Sequence, residues 1–184
     1  QVAEVERHGM QAVRLRHDWP GWWSKIELFR PDLQAGGPTL YLDLDVLVNA
    51  PLEPLLCEGR GFLAMDDGYS PGHVNSSVMS WRGDFSRIYS DFEDDPNSAM
   101  DAYQRAANNR MGDQGVIEDT LRSMGVQPAL YPNGRVGSFK AMQQQLAPKS
   151  GVTVFHGKPK MADATGWPAR AWRRWVETAK GKPQ

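Results

Sequence analysis

The sequence is short of cysteine, of long apolar runs and of any excess of charge, and each shortage narrows what the chain can be. Its one cysteine, Cys57, has no partner for an intrachain disulfide, which fits a reducing compartment and gives no support to an extracellular one. No apolar run approaches the roughly 20 residues that cross a bilayer. Gln1 to Met10 is too polar for the core of a signal peptide, so the expected location is cytoplasmic, without a membrane span. Lys and Arg number 21 against 22 Asp and Glu, a formal net charge of -1. That balance gives no basis for nucleic-acid binding, although Arg170, Arg173, Arg174, Lys180 and Lys182 make the C-terminal end locally basic. With 184 residues of ordinary globular composition, a single domain over the whole chain is expected.

What is present is a series of short apolar segments divided by Pro and Gly. Val13 and Leu15 alternate with Arg14 and Arg16 like a short strand. Trp22, Ile26 and Phe29 fall at helical spacing until Pro31. Thr39 to Leu42 reads as a strand buried on both faces, followed by Val46 to Val48, Phe62 to Met65 and the alternating Val74 to Trp81. Asp84 is placed as an N-cap before Phe85, Ile88, Tyr89 and Phe92. A polar helix is expected over Ser98 to Asn109, and a second helix runs from Asp113 through Ile117, Leu121 and Met124 to Gly125. Val126 to Tyr131 and Val152 to Phe155 read as strands around a loop-rich stretch containing Gln143 to Gln145. Trp172, Trp175 and Val176 suggest a closing amphipathic helix. Strands interleaved with helices define an α/β chain without internal repeats.

The chemistry gathers at strand ends. Asp43 and Asp45 follow the first apolar strand, and Asp66 and Asp67 follow a later one; in α/β sheets such ends are where ligands collect. Two ionised carboxylates on an extended backbone point to one side and need a cation, donors or solvent. They suit Mn²⁺ or Mg²⁺ with positions left for a diphosphate. A bare Asp-x-Asp is equally the pattern of one turn-capping and one solvated side chain. His156 ends the run Val152 to Phe155 and is followed by Gly157, Lys158, Pro159 and Lys160. Its imidazole suits Mn²⁺, the glycine admits a phosphate and the lysines offset its charge; a structural histidine is the alternative. Asn75, Asp113 and Gln114 are side chains able to hold vicinal sugar hydroxyls, though Asp113 also reads as a plain N-cap. Trp19, Trp22 and Trp23 offer a stacking platform, with Trp22 assigned to the core by its stripe, and Lys25 lies off that stripe.

Taken in order, YLDLDVLV, VNSSVMSW, GDQGVIEDTL and FHGKPK resemble the GT-A glycosyltransferases, most closely the glycogenin and lipopolysaccharide galactosyltransferase type known as family eight. The likeness spans Trp22 to Lys160. It implies a Rossmann-like mixed sheet flanked by helices and transfer of a sugar from a nucleotide diphosphate donor, commonly UDP-linked, with retention of configuration. It further implies that Asp43, Asp45 and His156 bind the cation, and that Gly157 with Lys158 or Lys160 meets the diphosphate. Asn75, Asp113 and Gln114 would hold the donor sugar, and Lys25 stands where the family has a basic residue near the donor. The acceptor has no readable code. Only Gln1 to Leu42 precede the Asp pair, so part of the family's N-terminal nucleotide-binding unit is expected to be lacking, and HGKPKM shortens the usual spacing from His to Lys-Pro-Trp.

Two other readings compete. A haloacid-dehalogenase-like phosphatase also carries Asp-x-Asp after an apolar strand, but Val46 to Met65 contains none of the Ser, Thr or Lys it needs between its acidic motifs. A non-catalytic carbohydrate-binding or assembly module with a degenerate transferase fold is the other.

Overall fold

Two small sheets meet at the Asp43 to Asp45 turn, and that seam is the feature of the fold that matters for function. The structure is a computed structural model that describes residues 9–34, 36–59, 61–104, 112–132, 134–142 and 151–179. The first sheet has the order β1 (Thr39–Leu42), β4 (Val74–Arg82), β3 (Gly61–Asp66), β5 (Ala129–Leu130). Its β1·β4 and β4·β3 pairs are antiparallel and its β3·β5 pair parallel. The second has the order β2 (Val46–Val48), β7 (Val152–Val154), β6 (Val136–Ser138), antiparallel and then parallel. Helices α1 (Arg87–Asp94), α2 (Pro96–Gln104), α3 (Asp113–Ser123), α4 (Phe139–Met142) and α5 (Trp167–Ala179) complete the mixed α/β architecture.

Hydrophobic burial on both faces of β4 holds the first sheet. Met79 and Trp81 join Trp23, Ile26, Phe29, Phe62, Ile88 and Phe92 on one face, while Val78 packs with Leu55, Met65, Tyr131, Val152 and Val154 on the other. A third cluster, Leu47, Phe139, Phe155, Ala164 and Trp167, fastens α4 and α5 to the second sheet. Each buried aliphatic or aromatic side chain of this kind contributes about 1.5–3 kcal/mol before entropy is counted.

Several sequence expectations are corrected. β1 is an edge strand with half-buried residues, because among the described residues only β4 pairs with it. Val13 and Leu15 form no strand and are about half exposed. The segment Gly21–Phe29 is a 3₁₀ helix, so the buried stripe is Trp23, Ile26 and Phe29 at intervals of three, and Trp22 is left 52% exposed. α1 starts at Arg87, later than Asp84, whose Oδ1 instead accepts the Ser86 N–H at 2.9 Å. Of Val126 to Tyr131 only Ala129–Leu130 pairs as a strand, and β6 lies within the stretch read as loop. The expected helix residues beyond Gln104, as well as Gln143 to Gln145, Lys180 and Lys182, lie outside the described residues.

The even alternation in Val74 to Trp81 also conceals an irregularity. Ala64 pairs with Met79, whereas Met65 pairs with Asn75, so β4 carries extra residues at Ser76 to Val78. This bulge reverses the parity of the strand. Val74 thereby shares a core face with Met79, and the Ser76–Ser77–Val78 backbone is released from β3.

Candidate active site at the seam between two sheets

The two aspartates are tied to different sheets. Asp43 donates its N–H to the Ser77 carbonyl of the β4 bulge at 2.9 Å, and the Asp45 carbonyl accepts the N–H of Phe155, just past β7, at 2.9 Å. Between them Leu44 is fully exposed at a turn, so the extended same-face geometry expected for the pair is replaced by a bend. Because Phe155 is bonded to Asp45, the next residue, His156, is delivered to the same place.

Each carboxylate has a lysine. Lys25 Nζ lies 3.1 Å from Asp43 Oδ1, 3.2 Å from Asp43 Oδ2, 3.0 Å from Ser76 Oγ and 3.4 Å from Asp113 Oδ2. Lys160 Nζ donates to Asp45 Oδ2 at 2.7 Å. The first cluster is largely dry, the second half-exposed. Tyr41 adds a hydroxyl that donates to Asp43 Oδ1 at 2.6 Å, and its ring lies under the Lys25 ammonium. Burial, then the hydrogen bond and charge of Asp43, push the Tyr41 phenol well above its ordinary pKa, so it remains a donor.

Asp113 is no N-cap. The capping position is Gly112, with φ of 74°, and the Asp113 side chain turns inward to Lys25 and Ser76. Burial raises its pKa against the opposing attraction of Lys25. Gln114, the next residue, donates through Nε2 to buried Asp67 at 3.2 Å and accepts from Asn75 Nδ2 at 3.4 Å, which fixes both ends of its amide. Asn75 is itself braced, its Oδ1 accepting the Ser77 N–H at 3.0 Å. Asp66 and Asp67 are occupied in the 66–73 turn, accepting the Gly72 N–H at 2.8 Å and the Tyr69 N–H at 3.0 Å.

His156 is partly buried, and that burial lowers its pKa, opposed by the charges of Asp45, Asp67 and Asp43 and assisted by Lys140. The imidazole is thus neutral near pH 7, the form that ligates metals. Two carboxylates and a neutral imidazole are the right chemistry for Mn²⁺. Among the described residues no three acidic, His or Cys side chains already enclose a common point, since Asp43 and Asp45 face lysines. Gly157 has φ of 64°, and Lys140 Nζ reaches to 3.5 Å from where a Cβ would stand. Lys158 is exposed, and among the described residues Lys160 alone of that pair meets the Asp turn.

A cleft of about 850 Å³ opens beside the turn, lined by the polar Lys25, Tyr41, Asp43, Asp45 and Lys160 and by the apolar Val13, Leu15, Trp22 and Leu44. Trp22 therefore belongs to the cleft wall, while Trp23 is core and Trp19 stacks on His17 at 4.2 Å. A larger cavity of about 1040 Å³ lies between Arg82–Ser86 and Met124–Gln127 and holds none of these groups.

Sequence reasoning did not single out Tyr41, Lys140, Glu27 or Arg30. Tyr41 sits two residues before Asp43, and an aromatic hydroxyl at that spacing was the one available signal. Glu27 is a buried polar residue of the 3₁₀ segment, and Arg30, also buried, is its C-cap. Glu27 accepts the N–H groups of Arg16 and His17 at 2.7 and 2.9 Å and bonds Arg30 at 2.8 Å, which secures the arm leading into the Lys25 segment.

No family model and no curated protein matches the chain by sequence. Solved structures match by fold. The galactosyltransferase LgtC in complex with donor and acceptor sugar analogs superposes with a TM-score of 0.53 at 18% identity, over 94% of this chain and 74% of that one. An active-site mutant of LgtC gives a TM-score of 0.52 at 16% identity over the same shares. The apo form of the glycosyltransferase GlyE of Streptococcus pneumoniae TIGR4 gives 0.56 at 15% identity, over 91% of this chain and 49% of that one. The chain thus has the GT-A glycosyltransferase fold and spans about half the length of GlyE. No helix among the described residues is long and apolar enough to cross a membrane.

Proposed function

We propose that this chain is a metal-dependent glycosyltransferase that binds a nucleotide-sugar donor, UDP-linked, at the Asp43 to Asp45 turn and passes the sugar to an acceptor with retention of configuration, in the cytoplasm. The observation that carries the reading is the meeting of Lys25, Asp43 and Asp113 at the seam of the two sheets, beside Lys160 and Asp45. Asp43, Asp45 and His156 are the residues that would hold Mn²⁺ or Mg²⁺. When bound, such a cation supplies Lewis-acid stabilisation of the charge on the departing diphosphate.

The protein's own groups do the rest. Lys25 and Lys160, with Lys158 at the rim, neutralise phosphate charge at the same place, and the Gly157 backbone leaves room for it. Asn75, Asp113 and Gln114 present amide and carboxylate groups to sugar hydroxyls, with Gln114 pre-oriented by Asp67 so that little side-chain freedom is lost on binding. The fold neighbours support the transferase class, one of them holding donor and acceptor sugar analogs.

Calorimetric titration with UDP, with and without Mn²⁺, tests the reading. Binding that needs Mn²⁺ is expected, followed by turnover of a UDP-sugar. Absence of binding in both conditions, or metal-independent binding, overturns it; UDP binding without turnover of any nucleotide sugar favours a non-catalytic module.

A further inference from the structure

Among the described residues four lysines lie at or near the seam, and they differ in what they face. Lys25 is held by Asp43 and Asp113, and Lys160 by Asp45. Lys158 is exposed beyond the turn. Lys140 is different: its described polar partner is a neutral phenol, the Tyr69 hydroxyl at 3.2 Å, with its ammonium 5.9 Å from the Tyr69 ring centroid. Among the described residues it makes no ion pair. Its charge is therefore available to an anion without first breaking a salt bridge.

Its position is set by core packing. The preceding residue, Phe139, is buried and stacks on Phe155 at 4.5 Å, which holds the start of α4 beside the residue that leads into His156 and Gly157. Lys140 Nζ consequently stands 3.5 Å from the point where a side chain on Gly157 would begin. Tyr69 is fixed from the other side, its N–H bonded to Asp67, the same carboxylate that orients Gln114. An ammonium and a hydroxyl thus face the Gly157 strap from across the site. Both donate hydrogen bonds to phosphate oxygens, and the ammonium does so with charge assistance.

Resting on the donor site proposed above, we propose that Lys140, with the Tyr69 hydroxyl, is a further phosphate-binding group, contacting the terminal phosphate of the nucleoside diphosphate. This group becomes the end of the leaving group when the sugar departs, so Lys140 acts on the phosphate that gains charge.

The test uses the full chain with Mn²⁺ and two probes, UDP and UMP, the second lacking the terminal phosphate and measured by displacement where its heat is small. Lys140→Met is expected to weaken UDP about tenfold, the scale of one charge-assisted contact, while UMP affinity stays within about twofold. Lys140→Arg retains most of the UDP affinity. Unchanged UDP affinity in Lys140→Met overturns the proposal, as does an equal loss for UDP and UMP accompanied by a lowered thermal midpoint. Failure of the wild-type chain to bind UDP would instead overturn the donor-site reading, so the two are told apart by the wild-type titration.

Discussion

The ammonium of Lys25 bridges Asp43 and Asp113, joining the end of β1 to the start of α3 through one largely buried cation. Removing it leaves Asp113 buried without its cation and with only Ser76 to bond it, which costs up to about 3–5 kcal/mol for a pair of this kind. Lys25→Met is expected to lower the thermal midpoint and Lys25→Met/Asp113→Asn to restore much of it. The pH dependence follows from the raised pKa of Asp113, which climbs further once Lys25 is gone. A carboxyl whose folded pKa exceeds its unfolded value gives stability at low pH that is lost as pH rises through the folded value. Lys25→Met should therefore gain stability relative to wild type as pH falls from neutral toward the ordinary carboxylate range, and the double variant should not. Parallel melting curves for all three across that range would argue against the bridge.

Asp45 gives the opposite separation of fold and function. Its side chain meets Lys160 where the two are 29% and 51% exposed, a setting in which an ion pair contributes about 0–1 kcal/mol. Asp45→Ala should thus melt close to wild type and yet lose Mn²⁺-dependent UDP binding. Retained metal-dependent binding in the folded variant would remove Asp45 from the proposed cation site.

Much of this site is legible in sequence because strand ends advertise themselves. β1 stops before Asp43 and α3 begins at Asp113, as their residues indicate, while β7 ends at Val154, one residue short of the expected strand end at Phe155. The local directions of side chains were not legible. A helical period of 3.6 selects Trp22, whereas the 3₁₀ period of three selects Trp23, and the choice between them is made by packing against Phe92. The β4 bulge is hidden because VNSSVMSW alternates whether or not residues are extruded, and only pairing with β3 reveals the shift. Lys140 carries no local signal; its nearness to Gly157 is made by the Phe139–Phe155 stack between residues far apart in the chain.

Glu27 governs a separate, acid-sensitive element. Burial pushes its pKa up, but the N–H groups of Arg16 and His17 and the Arg30 guanidinium outweigh that and hold it below the ordinary 4.5. A depressed carboxylate gives stability above its unfolded pKa that is lost as pH falls through the folded value. The wild-type chain should accordingly lose stability below about pH 4.5 in part through this group, and Glu27→Gln should flatten that part of the profile. Because Arg30 is also buried but keeps Asp32 at 3.2 Å, Glu27→Ala is expected to cost about 1.5–3 kcal/mol in urea unfolding at pH 7, the scale of a lost charge-assisted hydrogen bond. A loss below 1 kcal/mol, by the surface-pair standard, would show that the arm is held by other contacts.

Gly112 tests how tightly the start of α3 is coupled to the cleft wall. Its φ of 74° is left-handed, and a Cβ there would fall 2.6 Å from Trp22 Nε1. Gly112→Ala therefore meets two separate penalties, a backbone strain of about 1–3 kcal/mol and a collision with an indole that is half exposed and free to shift toward the cleft. Trp22→Ala removes the second and leaves the first, so the double variant should recover part of the lost stability. Asp113 and Gln114 follow Gly112 directly, so the single variant should also weaken UDP-sugar binding more than UDP binding, the sugar being the part they are proposed to hold. Equal weakening of both ligands would place the disturbance in the diphosphate region and sever the proposed link between this glycine and sugar recognition.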